Sequence, residues 1–158
     1  MNLKKLILLL LLGVAGYWAY GYFTTNFSQE MIAYKRYANA LLDNEPSRAR
    51  TVIQGDQPSQ AFANYSRRQE RMPGEIDFVY YEVLSKVKVE ETGTTTLTVR
   101  QKVYYDPEGV DTFKFALWKK QIWQDVHTVQ MRMNQSAWKV INFSDFFTIE
   151  AAQQSTRL

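Results

Sequence analysis

The residue types able to do chemistry are few in this chain. His127 is the only histidine, and Asp125 stands two positions before it. Two apart on a strand, the side chains share one face, and a carboxylate beside an imidazole is an acid–base pair. Asp77, Tyr81 and Tyr105 could face the same cavity if their strands adjoin. The competing assignment makes His127 an ordinary strand residue and leaves Asp125 exposed or at a bulge. A metal centre with one imidazole would need carboxylates as its other ligands, and the sequence predicts neither a metal nor a cofactor. There is no cysteine, which excludes disulfides, thiolate metal sites and a cysteine nucleophile and fits an oxidising compartment. Glycine-rich phosphate loops, nucleophile elbows, zinc signatures and EF-hands are all missing.

Binding chemistry has broader candidates. Tyr81, Tyr105, Trp118, Trp123 and Trp138 form an aromatic set that serves either as core or as the lining of an apolar ligand cavity or partner surface. Arg48, Arg50, Arg67, Arg68 and Arg71 tint one region basic, diluted by Glu45, Asp56 and Glu70. They read as a solvated helix face or as a membrane-proximal contact with anionic headgroups or an acidic partner. The formal charge of +3 comes from 19 basic and 16 acidic residues. Setting Lys4 and Lys5 aside leaves 17 against 16, so the basic surplus of a nucleic-acid-binding domain is missing.

The elements that must position these groups begin with a membrane segment. After Lys4 and Lys5, Leu6 to Phe23 runs 18 residues without a charge, about the minimum for a span. Its end carries Tyr17, Trp18, Tyr20 and Tyr22, the aromatics expected at a membrane–water interface. Lysines on the N-terminal side predict a cytoplasmic N-terminus and an exported domain. A cleaved signal peptide, with Val14-Ala15-Gly16 at the cleavage site, also exports the domain. The division is an anchor or signal segment over 1–25, one domain over 26–149 and a flexible tail over 150–158.

Asn26 and Gln29 resemble a capping box, and Phe27, Met31, Tyr34, Ala38 and Leu41 then make one apolar helical stripe ending near Asp43. Pro46 opens a short helix through Ile53, and a third helix follows the loop 55–59 and runs to about Met72. From Glu75 the period becomes two. Val79, Tyr81, Val83, Val87 and Val89 alternate with polar neighbours including Lys86 and Lys88. Leu97, Val99, Val103 and Tyr105 continue the pattern after the turn at 90–93. The stretch 112–133 is too long for one ordinary strand, and Lys119-Lys120 marks a bend, bulge or break. A last strand spans 138–147. The fold class is α+β: an N-terminal transmembrane helix, then about three helices packed on a curved four-stranded antiparallel sheet.

This order, with Tyr37-Ala38-Asn39-Ala40-Leu41-Leu42-Asp43-Asn44-Glu45-Pro46 and Ala137-Trp138-Lys139-Val140-Ile141-Asn142-Phe143, resembles the NTF2-like (cystatin-like α+β cone) superfamily in its membrane-anchored bacterial type. The resemblance implies a cone-shaped domain. The superfamily holds isomerases, dehydratases, ligand binders and inert assembly modules, so fold alone does not choose among them. Three expectations follow. The first is a non-catalytic interaction or assembly module in the bacterial inner membrane, facing the periplasm. Residues 6–23 hold it there, and other envelope proteins or further copies are its partners. The second is a binder of a small apolar ligand in the cone. The third is an isomerase- or dehydratase-like enzyme in which Asp125 and His127 act as base and acid, with tyrosines at an oxyanion.

Overall fold

The computed structural model describes residues 3–64, 72–107 and 120–143. Helix α1 spans Leu3–Asn26 and α2 spans Gln29–Leu42, followed by the short helices α3, Pro46–Ala49, and α4, Gln57–Gln60. A 3-10 turn covers Ala61–Asn64. Strands β1 (Glu75–Val89), β2 (Thr94–Asp106), β3 (Gln121–Asn134) and β4 (Ala137–Phe143) form one antiparallel sheet in sequence order. The domain is α+β. Its sheet is a meander, which neighbouring strands and short turns make without any crossover.

Apart from its C-terminal end, helix α1 stands clear of the domain, with the side chains of Leu6 to Leu12 and of Tyr17, Trp18, Tyr20 and Tyr22 exposed. Residues Lys4–Asn26 are long and apolar enough to cross a membrane, and none of their most apolar 18-residue stretch is buried. A core helix of a soluble protein would hide such a surface. The helix outlasts the apolar run. Thr24 Oγ1 donates to the carbonyl oxygens of Tyr20 and Gly21, and Asn26 Nδ2 to that of Tyr22 at 3.1 Å. Asn26 therefore ends α1 and does not cap α2, contrary to the capping-box expectation. Ser28 takes the N-cap position in extended conformation, without a side-chain cap bond.

Between α1 and α2 only Phe27 and Ser28 are non-helical. The join is further tied by Lys35, whose ammonium donates to the Asn26 carbonyl at 3.2 Å and lies 5.2 Å from the Phe27 ring centre.

Helix α2 supplies the central core. Met31, Tyr34, Tyr37, Ala38 and Leu41 are all fully buried and lie on one face, as the i, i+3, i+4 spacing requires. They pack on the inner side of the sheet, where Leu97, Val99, Val103, Val129, Met131 and Val140 are buried. The chain after α3 departs from the expected helix through Ile53. Ile53 forms a parallel bridge to Val140, with Val140 N donating to Val52 O at 2.7 Å and Gln54 N to Val140 O at 2.9 Å. The free edge of β4 thus claims these backbone groups before a helix can. The expected third helix is represented by α4 and the 3-10 turn, and its remainder, including Tyr65, lies outside the described residues. So do the far end of the last strand and the tail.

Strand β1 carries the main correction. A bulge between Val83 and Ser85 inserts one residue, Leu84, and so exchanges the faces of everything after it. Lys86 then lies opposite Leu97, on the inner side, and Val87 lies opposite Thr96, on the outer. Val87 and Val89 are therefore exposed, whereas strict alternation had placed them with the buried valines. Lys86 reaches Glu30 in the first turn of α2 and forms an ion pair.

At the other end of the sheet, Lys120 Nζ bonds Asp77 at 3.0 Å and Asp106 at 3.2 Å, joining β1, β2 and the start of β3. Burial works against the Lys120 charge, but the two carboxylates hold its pKa above the usual lysine value. Gly74 sits at φ +87 against the backbone of Asp106 and Pro107, where a Cβ would collide with the Asp106 carbonyl oxygen. Only glycine meets both demands.

Candidate functional site

On β3, residues 123, 125, 127, 129 and 131 are buried on the inner side of the sheet. This puts Asp125 and His127 side by side on the inner side of the sheet, as their spacing predicts. They are 9% and 4% exposed. His127 Nδ1 lies 3.2 Å from Asp125 Oδ2, and His127 Nε2 lies 2.5 Å from the hydroxyl of Tyr34. Burial, and then the nearby Tyr81, Asp125 and Tyr37, push the Tyr34 pKa well above the usual tyrosine value. Tyr34 thus keeps its proton and donates it to Nε2. An imidazole with its proton on Nδ1 donates to Asp125 Oδ2 and accepts from Tyr34 at Nε2. One neutral tautomer satisfies both bonds.

The pair is roofed. Tyr34 is fully buried, and its ring lies 5.7 Å from the His127 ring. The Phe143 ring lies 5.2 Å from the same imidazole and 5.0 Å from the Tyr37 ring. The Tyr37 hydroxyl donates to the carbonyl of Pro58 at 2.8 Å, fastening α2 to α4.

A polar row crosses the sheet beside this pair. Register aligns Tyr81 with Gln101 and Gln101 with Asp125. The Tyr81 hydroxyl donates to Asn39 Oδ1 at 2.5 Å and accepts from Gln101 Nε2 at 3.5 Å. Burial, then the charge of Asp43, drives the Tyr81 pKa far up, so Tyr81 too is a fixed donor. Gln101 is fully buried and its Oε1 has no hydrogen-bond partner. The row joins α2 to β1 and β2 through polar groups and ends beside Asp125 on β3, and such a buried network constrains how helix and sheet meet.

Tyr34, Asn39 and Gln101 are the members that sequence reasoning missed. The signals were present. A tyrosine inside an apolar helical stripe carries its hydroxyl into the core and needs a partner there. Gln101 falls in the apolar phase of Leu97, Val99, Val103 and Tyr105.

The other candidates scatter. Tyr105 is buried on the same inner side, donates to Gln121 at 3.0 Å and has its pKa raised by burial. Trp123 is buried there too, and Trp138 packs half-buried against the core from β4. Asp77 is turned to Lys120. Arg48 lies past the end of α2 remote from α1, exposed, and bonds Asp43 at 2.8 Å and Glu45 at 2.9 Å. Arg50 is exposed nearby. Trp118, Arg67, Arg68 and Arg71 lie outside the described residues. Among the described residues, no group of three or more His, Asp or Glu side chains is placed to hold a metal.

A cleft of about 300 Å³ opens between the end of α2 and β1, lined by Asn39, Leu42, Asp43, Arg48, Ile76, Asp77, Phe78, Val79 and Tyr81. The polar row reaches it through Asn39 and Tyr81. Asp125 and His127 do not line it.

No protein-family model matches the chain, and no curated protein matches it. Among solved structures it is similar to an LEH-like epoxide hydrolase of M. tuberculosis, over 81% of this chain and 87% of that one, at 8% identity and a TM-score of 0.38. That is a resemblance at the level of fold at most, and it assigns no residue a role.

Proposed function

We propose that this chain is a single-pass protein of the bacterial cell envelope, and that its α+β domain is a non-catalytic interaction module. In this reading α1 is the anchor, its lysine-bearing start is cytoplasmic, and the domain stands on the periplasmic side. The observation that carries the reading is the use of His127. Both of its ring nitrogens are spent on Tyr34 and Asp125 inside the core, so the chain's one carboxylate–imidazole pair serves to seat α2 on the sheet. An acid–base catalyst needs a substrate within hydrogen-bond reach, and the roof of Tyr34, Tyr37 and Phe143 stands in the way.

The test has two arms on the full chain in cells. A periplasm-dependent reporter fused to the C-terminus should be active. Photo-crosslinkers at exposed domain positions should give discrete adducts, to a second copy or to another envelope protein. A silent reporter removes the localisation. A domain that yields no adduct from any exposed position removes the assembly role.

A second reading rests on the cleft beside Tyr81. Its volume is at the small end of ligand sites, and its lining mixes apolar Leu42, Ile76, Phe78 and Val79 with polar Asn39 and Tyr81 and charged Asp43, Arg48 and Asp77. A small ligand bound there should protect the domain against heat, and Val79→Trp, which fills the space, should abolish that protection.

A further inference from the structure

The described part of the domain leaves eight large apolar side chains exposed beyond α1, and four of them, Phe78, Leu84, Val87 and Val89, belong to β1. Phe78, Val87 and Val89 share one side. Phe78 lies opposite Tyr104 and Tyr80 opposite Lys102, on the outer face, and the bulge at Leu84 brings Val87 and Val89 round to that same face. A register without the bulge would have kept both valines under α2. The fold instead turns apolar surface outward along its edge strand.

That strand is held beside the end of α1. The two elements approach one another, and the Tyr22 phenol is near enough to Tyr80 to add, after burial and Glu82, to the upward shift of the Tyr80 pKa. Glu30 and Lys86 tie the first turn of α2 to β1. Only Phe27 and Ser28 separate that turn from α1. The neighbouring end of α1 carries Tyr17, Trp18, Tyr20 and Tyr22, all exposed, and such residues settle at headgroup level. The domain therefore has no tether on which to stand away from the bilayer.

We propose that the outer face of β1 is a second membrane contact: Phe78, Val87 and Val89 rest in the headgroup layer of the membrane that α1 enters. The proposal builds on the anchor reading above. Lipid suits this surface better than another strand does. Bulges between Ile76 and Phe78 and between Val83 and Ser85 interrupt the regular edge that strand pairing needs. Lys102 lies beside Tyr80 on the same outer side, on β2. Long lysine side chains can lay their stems on an apolar surface and carry the charge to phosphate. The contact fixes the tilt of the domain on the membrane and so decides which of its other faces a partner meets.

The chain has no cysteine, so single labels are clean. The full chain with one NBD-labelled cysteine at Phe78→Cys, Val87→Cys, Asn142→Cys on β4 or Leu9→Cys in α1 is placed in phosphatidylcholine–phosphatidylglycerol vesicles. Quenching is read with lipids spin-labelled near the headgroup or deep in the chain. Labels at 78 and 87 should shift to the blue and lose fluorescence to the shallow quencher, the label at 9 to the deep one, and the label at 142 to neither. If 78 and 87 behave like 142 while 9 is quenched, the anchor stands and the contact is overturned. A blue shift at 78 and 87 without quenching means that protein covers the strand, which also overturns it. If 9 is not quenched, the anchor reading fails and takes the contact with it.

Discussion

The inner face of β3 and the outer face of β1 invert the usual division between chemistry and packing. On β3, the titratable pair Asp125 and His127 is sealed under Tyr34 and Phe143. On β1, Phe78 and Val87 stand in the open, 46% and 56% exposed. Groups that could react are used to hold the fold, and groups that could hold the fold are turned outward. A buried polar network constrains how helix and sheet meet, because each misplaced member leaves an unsatisfied group. An exposed apolar strand constrains nothing within the domain and asks for something outside it. The comparison teaches that function here is sought on the surface near α1 more than around the histidine.

The largest effects should come from the sealed side. Tyr34→Ala removes a fully buried aromatic and abandons His127 Nε2, so it should cost on the order of 3–5 kcal/mol, read as a lowered urea midpoint in the domain's tryptophan fluorescence. Tyr34→Phe and Asp125→Asn keep the shape and break one bond each. They should cost about 1–3 kcal/mol apiece, and less than the sum together, since both act through one imidazole. If instead these two variants keep full stability while removing a cellular phenotype, the comparison breaks in favour of chemistry at His127.

A smaller and conditional effect marks the seam between the two regions. Hydrogen bonding and charge from Lys86 outweigh burial and lower the Glu30 pKa from 4.5. A depressed carboxylate contributes stability that is present above the unfolded pKa and lost as pH falls through the folded one. The domain should therefore weaken as pH drops below about 4.5. In Lys86→Met that part of the acid sensitivity should shrink, and at neutral pH the cost should be about 1 kcal/mol or less for so partly exposed a pair. An acid unfolding profile unchanged by Lys86→Met would show that the tie between α2 and β1 adds nothing to stability.

Much of this was legible in the sequence, for reasons that also show where legibility stops. The apolar run over Leu6–Phe23, the stripe Met31, Tyr34, Ala38, Leu41 and the alternation of Leu97, Val99, Val103 are periodic, and periodicity is local information. Asp125 and His127 share a face because strand geometry requires it. The bulge at Leu84 is not local. Val83-Leu84-Ser85 reads as ordinary alternation, and the extra residue is settled by pairing with Val99 and Thr98 on β2. The same limit applies to Ile53, whose neighbours in sequence suggest a helix and whose neighbour in space is Val140. Tyr34 was visible as a helix residue, but its bond to His127 spans 93 positions. No spacing rule encodes such a contact.

The smallest predicted effect is the one that sharpens the comparison most. Val87→Thr and Val99→Thr make the same chemical change on neighbouring strands. At Val99, fully buried opposite His127, the hydroxyl must lose water without an assured partner, and the cost should be about 1–3 kcal/mol. At Val87 the hydroxyl stays in water, threonine suits a strand as well as valine does, and the unfolding midpoint in detergent should move by no more than about 0.5 kcal/mol. The near-silence of Val87→Thr matters because it separates folding from function. If apolar surface at Val87 is retained for something outside the domain, the variant should unfold like the parent and yet lose part of the blue shift of a label at Phe78→Cys in vesicles. A Val87→Thr chain that is as unstable as Val99→Thr would mean that the outer valines belong to the core after all, and the two faces would cease to differ in kind.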